Sequence, residues 1–132
     1  MMTEAPSRSR AISILVAEDL AMNRTLVSLM LQKAGYAVTG AADGDEAVSV
    51  VRQQAFDLVL MDVQMPVMDG LEATRAIRAL PGVAGQVPIV ALTADIQPAN
   101  IAAYQAAGMN DYLAKPIDRA KLLAIVAQWV GR

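Results

Sequence analysis

The amino-acid sequence predicts an α/β fold in which one parallel β-sheet is covered by helices on both faces. Short apolar, β-branched runs alternate with helical patterns along almost the whole chain, which is typical of successive βα units. The runs at 58–61 and 87–92 are apolar at every position, as strands buried on both faces require. Five such units account for most of the 132 residues, so the sequence predicts a single doubly wound domain.

The five strands are predicted at 12–17, 36–41, 57–62, 87–92 and 110–114. Pro88 lies near the start of the fourth strand, where a missing backbone N–H is tolerated. Residues typical of turns and caps separate the predicted elements, namely Gly35, Asp43-Gly44 and Asp69-Gly70.

Helical periodicity predicts five helices between and after these strands. The fourth, at 98–107, is rich in alanine and has only Ile101 and Tyr104 as large apolar residues. Pro98 suits its first turn and Gly108 its C-terminal cap. The other four carry apolar stripes that we expect to face the sheet: Met22, Leu26, Leu29 and Met30; Ala47, Val48 and Val51; Ala73, Ile77 and Leu80; and Leu122, Val126, Trp129 and Val130.

Composition excludes several classes of function. The chain has no cysteine and no histidine, which excludes disulfides, thiolate or imidazole metal sites, the Ser-His-Asp triad and a phosphohistidine carrier. Its 11 basic and 13 acidic residues give a net charge of −2, so we expect no binding to nucleic acid through a basic surface.

No run approaches the roughly 18 apolar residues of a spanning helix, so we expect no membrane insertion. The lack of cysteine and of an export signal favours the cytoplasm. Residues 1–11 are interpreted as a tail or linker, and 12–132 as the domain.

The polar residues that could carry chemistry follow the predicted strands. In an open parallel sheet, ligands bind in the crevice at the carboxyl ends of the strands. Three carboxylates meeting there would repel one another unless a cation lay among them, and an oxygen-only ligand set selects Mg²⁺, with Mn²⁺ as the alternative. The residues at these ends are Glu18 and Asp19 after the first strand, Asp62 at the end of the third, Thr93 and Ala94 after the fourth, and Lys115 and Pro116 after the fifth.

Lys115 makes the predicted chemistry more specific. It follows an apolar strand directly, so its ammonium is expected to be partly desolvated and to need an anionic partner. A lysine, a threonine hydroxyl and a divalent cation around one carboxylate would stabilise a phosphorylated carboxylate. Each residue alone has an ordinary alternative: Glu18 and Asp19 as a helix cap, Thr93 as a cap, and Tyr112 as a core aromatic.

Taken together, these residues resemble the response-regulator receiver domains, the CheY-like family, over about 12–130. The amino-acid sequences of the third-strand region and of 108–112 are similar to those of receivers of hybrid sensor histidine kinases. The resemblance implies a flavodoxin-like sheet with strand order 2-1-3-4-5. The residues that carry it include Glu18-Asp19, Asp43-Gly44, Met61-Asp62, Met65-Pro66, Asp69-Gly70, Leu92-Thr93-Ala94 and Lys115-Pro116. Leu20 departs from the family, since many relatives have a polar residue there.

The resemblance also implies a role for each site residue. Asp62 would accept a phosphoryl group from a phosphohistidine. Lys115 and Thr93 would contact the phosphoryl oxygens, and Ala94 would leave space for them. Thr93 and Tyr112 would form a switch pair that reshapes the face of the fourth helix, fifth strand and fifth helix. The Lys115–Pro116 bond would be cis. Mg²⁺ would be held by Glu18, Asp19, Asp62 and the backbone carbonyl of Gln64.

Expected partners follow from the same resemblance: a histidine kinase or a histidine phosphotransfer protein, with the domain itself a monomer or weak dimer. Three other functions are weighed against this one, and one of them, an FMN carrier, shares the topology. An aspartyl-nucleophile phosphatase would have a second acid at the position of Gln64, and an FMN carrier would not place Glu18 and Asp19 where the phosphate binds. An interaction module that works without phosphorylation stays open.

Overall fold

Five β-strands alternate with five α-helices in the computed structural model, which describes residues 11–131. The strands are β1 (Ser13–Ala17), β2 (Ala37–Ala41), β3 (Leu58–Asp62), β4 (Ile89–Thr93) and β5 (Asp111–Ala114). The helices are α1 (Ala21–Lys33), α2 (Gly44–Gln53), α3 (Gly70–Arg78), α4 (Pro98–Ala107) and α5 (Arg119–Trp129), with a 3₁₀-helix at Gly82–Gln86 that was not predicted. The tail predicted over 1–11 lies, except for its last residue, outside the described residues.

The strands form one parallel sheet in the order β2-β1-β3-β4-β5. This order confirms the predicted doubly wound topology. The register brings the carboxyl ends of the strands to one edge: Ala17 pairs with Met61, Asp62 with Leu92, and Thr93 with Ala114. The residues just beyond these ends therefore come together above the middle of the sheet.

Hydrophobic cores lie on both faces of the sheet. Successive strand residues point to opposite faces, so each central strand contributes to both cores and must be apolar throughout. In β1, for example, Leu15 belongs to the core that contains α2, α3 and α4 residues, whereas Ile14 and Val16 belong to the core under α1 and α5.

Local signals place the ends of the helices. The Asp69 side chain accepts a hydrogen bond from the Glu72 N–H, and Glu72 reaches back to the Asp69 N–H, which makes a capping box at the start of α3. At the start of α2 the Asp43 side chain accepts a hydrogen bond from the Glu46 N–H, while Glu46 accepts one from the Ala42 N–H. Gly108 ends α4 with a φ of 111°, in the left-handed region that glycine adopts without strain.

The predicted apolar stripes are correct for α2, α3 and α5 but wrong for α1. In α1 the buried residues are Val27 and Leu31, whereas Met22, Leu26 and Leu29 are exposed, Met22 by 76%. The physical reason is that α1 has apolar residues on two faces, so its periodicity does not show which face packs on the sheet. Met30 is partly buried against the core. Within 11–131, no helix combines the length and the apolar character needed to cross a membrane.

Candidate functional site

Three carboxylates lie together at the carboxyl edge of the sheet. Glu18 and Asp19 follow β1, and Asp62 is the last residue of β3, so neighbouring strands place all three side chains at one point. One carboxylate oxygen from each lies within 4.8 Å of the others. Glu18 and Asp62 are buried, with 2% and 3% exposure, while Asp19 is partly exposed. The predicted acidic cluster is therefore present in the fold.

Glu18 has one carboxylate oxygen, Oε2, that is buried without a hydrogen-bond partner among the described residues. Burial, and next the neighbouring Asp62 carboxylate, raise the pKa of Glu18 to about 7. A buried carboxylate oxygen without a donor is a position that a hard cation fills. The donor set, which consists of oxygens alone, fits Mg²⁺.

Lys115 is the cation that the structure places beside the cluster. Its Nζ lies 3.1 Å from Asp62 Oδ2 and 3.4 Å from Glu18 Oε1. Burial alone would lower the pKa of Lys115, but the hydrogen bond and charge of Asp62, together with Glu18, outweigh it and the pKa is raised. Lys115 therefore stays charged and offsets part of the negative charge. The Lys115–Pro116 peptide bond is cis, as predicted.

Asp62 is held by contacts on both of its carboxylate oxygens. Oδ2 faces Lys115, and Oδ1 accepts a 3.1 Å hydrogen bond from the backbone N–H of Gln64. Gly70, the first residue of α3, packs directly on the Asp62 carbonyl, where a Cβ atom would collide with it. Coordination by the Gln64 carbonyl stays a prediction. A cavity of about 440 Å³ opens beside Asp62 and is lined also by Asp19 and Pro66.

Arg24 fixes the backbone that carries the acidic residues, a contact that the sequence did not predict. Its Nη1 atom donates a 2.7 Å hydrogen bond to the carbonyl oxygen of Glu18, and a longer one of 3.5 Å to that of Asp19. The aliphatic part of Arg24 passes over Gly40 of β2, where a Cβ would lie 3.0 Å from its Cδ. The guanidinium thus ties α1 to the end of β1.

Thr93 and Ala94 lie on the other side of Asp62, at the end of β4. The Lys115 N–H donates to the Thr93 carbonyl over 2.8 Å, which brings the end of β5 next to them. Asp62, Thr93, Ala94 and Lys115 line a common cavity of about 230 Å³. Thr93 is buried and Ala94 is exposed. These predicted site residues are therefore brought together.

The hydroxyl of Thr93 pairs with Tyr104 of α4, at 2.8 Å. Tyr112, the predicted switch partner, lies on β5 with 37% exposure, so the alternative expectation of a core aromatic is wrong. The role of Tyr112 in a switch stays a prediction. The sequence did show one signal for Tyr104: a tyrosine on a buried helix face needs a hydrogen-bond partner for its hydroxyl.

The fold and the site together define a class of protein. Its members are parallel-sheet domains that have a carboxylate cluster and a lysine at the carboxyl edge of the sheet. The response regulator receiver domain model matches residues 14–127, and the chain belongs to that family. The predicted resemblance is thereby confirmed.

Known relatives agree with this assignment. The chain is 45% identical over 128 residues to the Sensor protein GacS of Pseudomonas syringae pv. syringae, covering 96% of this chain and 14% of that much longer protein. The receiver domain of the sensor histidine kinase PA1611 from Pseudomonas aeruginosa, solved with a magnesium ion coordinated in its active-site cleft, superposes with a TM-score of 0.85 at 45% identity. That match covers 93% of this chain and 100% of the other.

A third relative is known with a partner. The receiver domain of the Saccharomyces cerevisiae response regulator Ssk1, solved with the histidine phosphotransfer signaling protein Ypd1, matches with a TM-score of 0.84 at 30% identity. The match covers 92% of this chain and 90% of that one. That receiver domain therefore binds a histidine phosphotransfer protein.

Proposed function

We propose that this domain accepts a phosphoryl group on Asp62 from a phosphohistidine of a partner protein, in a Mg²⁺-dependent step of a phosphorelay. One observation carries the proposal: Asp62 ends β3 inside an acidic cluster while one of its oxygens faces the Lys115 ammonium at 3.1 Å. This arrangement presents a carboxylate nucleophile together with a charge that can stabilise an incoming phosphoryl group.

In the proposed step, a carboxylate oxygen of Asp62 forms a bond to phosphorus as the bond from phosphorus to the histidine nitrogen breaks. The imidazole keeps the electron pair of that bond and takes up a proton, and Asp62 becomes an acyl phosphate. Hydrolysis of this acyl phosphate by water would return the carboxylate and inorganic phosphate. That slow self-dephosphorylation would set the lifetime of the signal.

The neighbouring residues have distinct parts in this step. Lys115 offsets the negative charge of the phosphoryl oxygens, and the Thr93 hydroxyl donates a hydrogen bond to one of them. Ala94 has no side chain beyond Cβ and leaves space for the approach. Glu18, Asp19 and Asp62, with the Gln64 carbonyl, would hold the Mg²⁺, which offsets charge on the transferring group when bound. Mn²⁺ has the same preference for oxygen ligands and is the alternative ion.

The apolar face formed by Met22, Leu26 and Leu29 of α1, with Leu20 just before the helix, is the proposed docking surface for the phosphotransfer partner. All four side chains are exposed large hydrophobics, and the face begins two residues after Glu18. A cavity of about 460 Å³ separates Leu26 from Ile117 and reaches Lys115. A helical partner seated there would bring its histidine to the cluster.

The domain would act in the cytoplasm, where ATP supplies histidine kinases, as a monomer or weak dimer.

A substitution on the docking surface distinguishes phosphoryl transfer from a partner protein from the intrinsic reactivity of Asp62. We expect Met22→Ser to slow transfer from phosphorylated Ypd1 and to leave phosphorylation by the small donor phosphoramidate unchanged. Equal slowing with both donors would place Met22 in the chemistry and contradict docking.

The output surface is proposed to be the face of α4, β5 and α5, on which Tyr112 is exposed. If Thr93 moves toward the phosphoryl group, amide chemical-shift changes on adding beryllofluoride and Mg²⁺ extend into residues 95–112. Changes confined to the surroundings of Asp62 would contradict this output.

A small phosphodonor tests the proposed function directly. Incubation with acetyl phosphate and Mg²⁺ should add one phosphoryl mass to the intact protein, and chelation of the metal should abolish the gain. Asp62→Asn should show no gain, while the exposed Asp45→Asn serves as the matched control and should behave as the wild type. Sustained turnover of acetyl phosphate would support the phosphatase alternative, and no gain would support the interaction module.

A further inference from the structure

Tyr104, Thr93 and the backbone of Asp95 form a closed hydrogen-bonded triangle next to the proposed phosphoryl site. The Tyr104 hydroxyl lies 2.8 Å from Thr93 Oγ1 and 2.8 Å from the Asp95 carbonyl oxygen. Thr93 Oγ1 is 3.2 Å from the same carbonyl and accepts a 3.0 Å hydrogen bond from the Asp95 N–H. Tyr104 also lines the cavity that contains Asp62 and Lys115.

The hydrogens of this triangle can be counted. Each hydroxyl carries one hydrogen, and the Asp95 carbonyl carries none. The two shortest contacts are satisfied together when Tyr104 donates to the carbonyl and Thr93 donates to Tyr104. In the other arrangement, Tyr104 donates to Thr93 and Thr93 donates to the carbonyl. In both arrangements the hydroxyl hydrogen of Thr93 is used inside the triangle.

A phosphoryl group on Asp62 needs that same hydrogen. Its oxygens are acceptors only, so Thr93 can contact them only by donating. Thr93 must then withdraw its hydrogen from Tyr104 or from the Asp95 carbonyl. Both acceptors are at buried or partly buried contacts, so losing a donor costs free energy. The phosphoryl group therefore competes for the Thr93 hydroxyl hydrogen with Tyr104 in the first arrangement and with the Asp95 carbonyl in the second, and in both the Tyr104 hydroxyl holds Thr93 in its resting position.

Tyr104 is also the main buried residue of α4. Of the ten residues in that helix only Tyr104 and Ala107 are buried, and Ile101 packs partly against the core. The Asp95 side chain ties the first turn of α4 as well, since Asn100 Nδ2 donates to it over 2.7 Å. A change in the Tyr104–Thr93 contact would thus act on the element that the output proposal uses.

We propose that Tyr104 is a positioning residue whose hydroxyl holds the Thr93 hydroxyl by a hydrogen bond in the resting state. This contact, the latch, lowers the affinity of the site for a phosphoryl group. This proposal rests on the proposed function of Asp62. It gives Thr93 a tyrosine partner on α4, which is a different residue from Tyr112, the switch partner that the resemblance implies. In Tyr104→Phe the resting contact is lost, but the contact between Thr93 and the phosphoryl group is not.

The test uses beryllofluoride with saturating Mg²⁺ as the phosphoryl mimic and calorimetry as the measurement. Removing one net hydrogen bond from the resting state should make Tyr104→Phe bind beryllofluoride about fivefold more tightly than the wild type. The affinity for Mg²⁺ alone should not change, because Tyr104 does not contact the acidic cluster. A purely structural loss would weaken binding instead. Tyr36→Phe, which removes the hydroxyl of a partly buried tyrosine just before β2, at the amino edge of the sheet, is the matched control and should bind as the wild type.

A double-mutant cycle isolates the contact. In a Thr93→Ala background the Tyr104 hydroxyl has nothing to latch, so adding Tyr104→Phe should leave beryllofluoride affinity unchanged. The same gain in both backgrounds would overturn the latch. So would a wild-type protein that binds the mimic as tightly as, or more tightly than, Tyr104→Phe. Wild-type protein that binds no beryllofluoride would overturn the proposed function and this inference with it.

A measurement on the wild type needs no variant. The ¹³Cζ chemical shift of a tyrosine reports the hydrogen bonding of its hydroxyl. On adding beryllofluoride and Mg²⁺, the Tyr104 signal should move and that of Tyr36 should stay. An unchanged Tyr104 signal in a protein that has bound the mimic would overturn the latch alone.

Discussion

Lys115 and Asp62 form an ion pair of 3.1 Å at the carboxyl edge of the sheet, in which the lysine comes from the end of β5 and the aspartate from the end of β3. The same ammonium lies 3.4 Å from Glu18. One positive charge thus faces a cluster of three carboxylates, which includes Asp19. The site keeps an excess of negative charge, and the first two predictions follow from it.

Magnesium affinity should depend on Asp19. A pair of unit charges near a protein surface interacts by roughly 4 kcal/mol at 4 Å, and a tenfold change in affinity corresponds to about 1.4 kcal/mol. We therefore expect Asp19→Asn to weaken Mg²⁺ binding by at least about tenfold, measured by calorimetry, while Asp45→Asn binds as the wild type. Equal affinities of Asp19→Asn and wild type would contradict the metal site.

The stability of the metal-free protein should fall as pH rises from about 4.5 to about 7. The pKa of Glu18 is raised from 4.5 to about 7 in the folded chain, so over this range the folded state binds more protons than the unfolded state. The free energy of unfolding in urea with a chelator should decrease across this range. In Glu18→Gln the decrease should be smaller, and a pH dependence of equal slope in Glu18→Gln and the wild type would contradict the raised pKa of Glu18.

Val67 is strained in the loop after β3. Its φ is 68°, a left-handed conformation that a β-branched residue rarely adopts, and the Met68 N–H donates back to the Pro66 carbonyl over 2.7 Å. The side chain is 84% exposed, so replacing it loses little burial. Val67→Asn should raise the free energy of unfolding by about 1 kcal/mol.

The matched control for this loop is Val83→Asn, since Val83 is 83% exposed and has no positive φ. It should give no gain in stability. A similar gain at both positions would mean that removing exposed valine, and not relief of backbone strain, stabilises the protein.

Arg78 connects three parts of the fold through its guanidinium. It donates to the carbonyls of Gly85, Val87 and Gly108 and to Oδ1 of Asn110, over 2.8–3.0 Å. Burial lowers its pKa. A lysine has one nitrogen and cannot reach four acceptors, so Arg78→Lys should lose about 2–3 kcal/mol of stability in urea unfolding. Exposed Arg75→Lys is the control, and an equal effect at both sites would contradict the account.

Much of the fold was predictable because buried parallel strands have a simple pattern. Leu58–Asp62 is buried at every position, and the sequence shows it as an uninterrupted apolar run that ends in a carboxylate. The packing of α1 was not predictable. Met22 and Leu26 on one face, and Val27 and Leu31 on the other, are all apolar, and only the tertiary structure decides which pair is buried.

In the candidate site, too, some contacts could be predicted from the sequence and others could not. Asp62 and Lys115 could be predicted to meet, because the topology of the sheet brings the ends of its strands together. Arg24 could not, since its partner is the backbone carbonyl of Glu18, and a carbonyl leaves no signal in the sequence. The partner of Thr93 was also missed, because Tyr104 and Tyr112 are chemically equivalent in sequence and differ only in burial.

The most direct measurement locates the phosphoryl group. Borohydride reduces an aspartyl acyl phosphate to homoserine and leaves a free aspartate unchanged. After incubation with acetyl phosphate and Mg²⁺, reduction and tandem mass spectrometry should place homoserine at position 62 alone, and omission of Mg²⁺ should abolish it. Homoserine at Asp19, Asp57 or another aspartate, or its absence from a protein that has gained phosphoryl mass, would contradict the assignment of Asp62 as the acceptor.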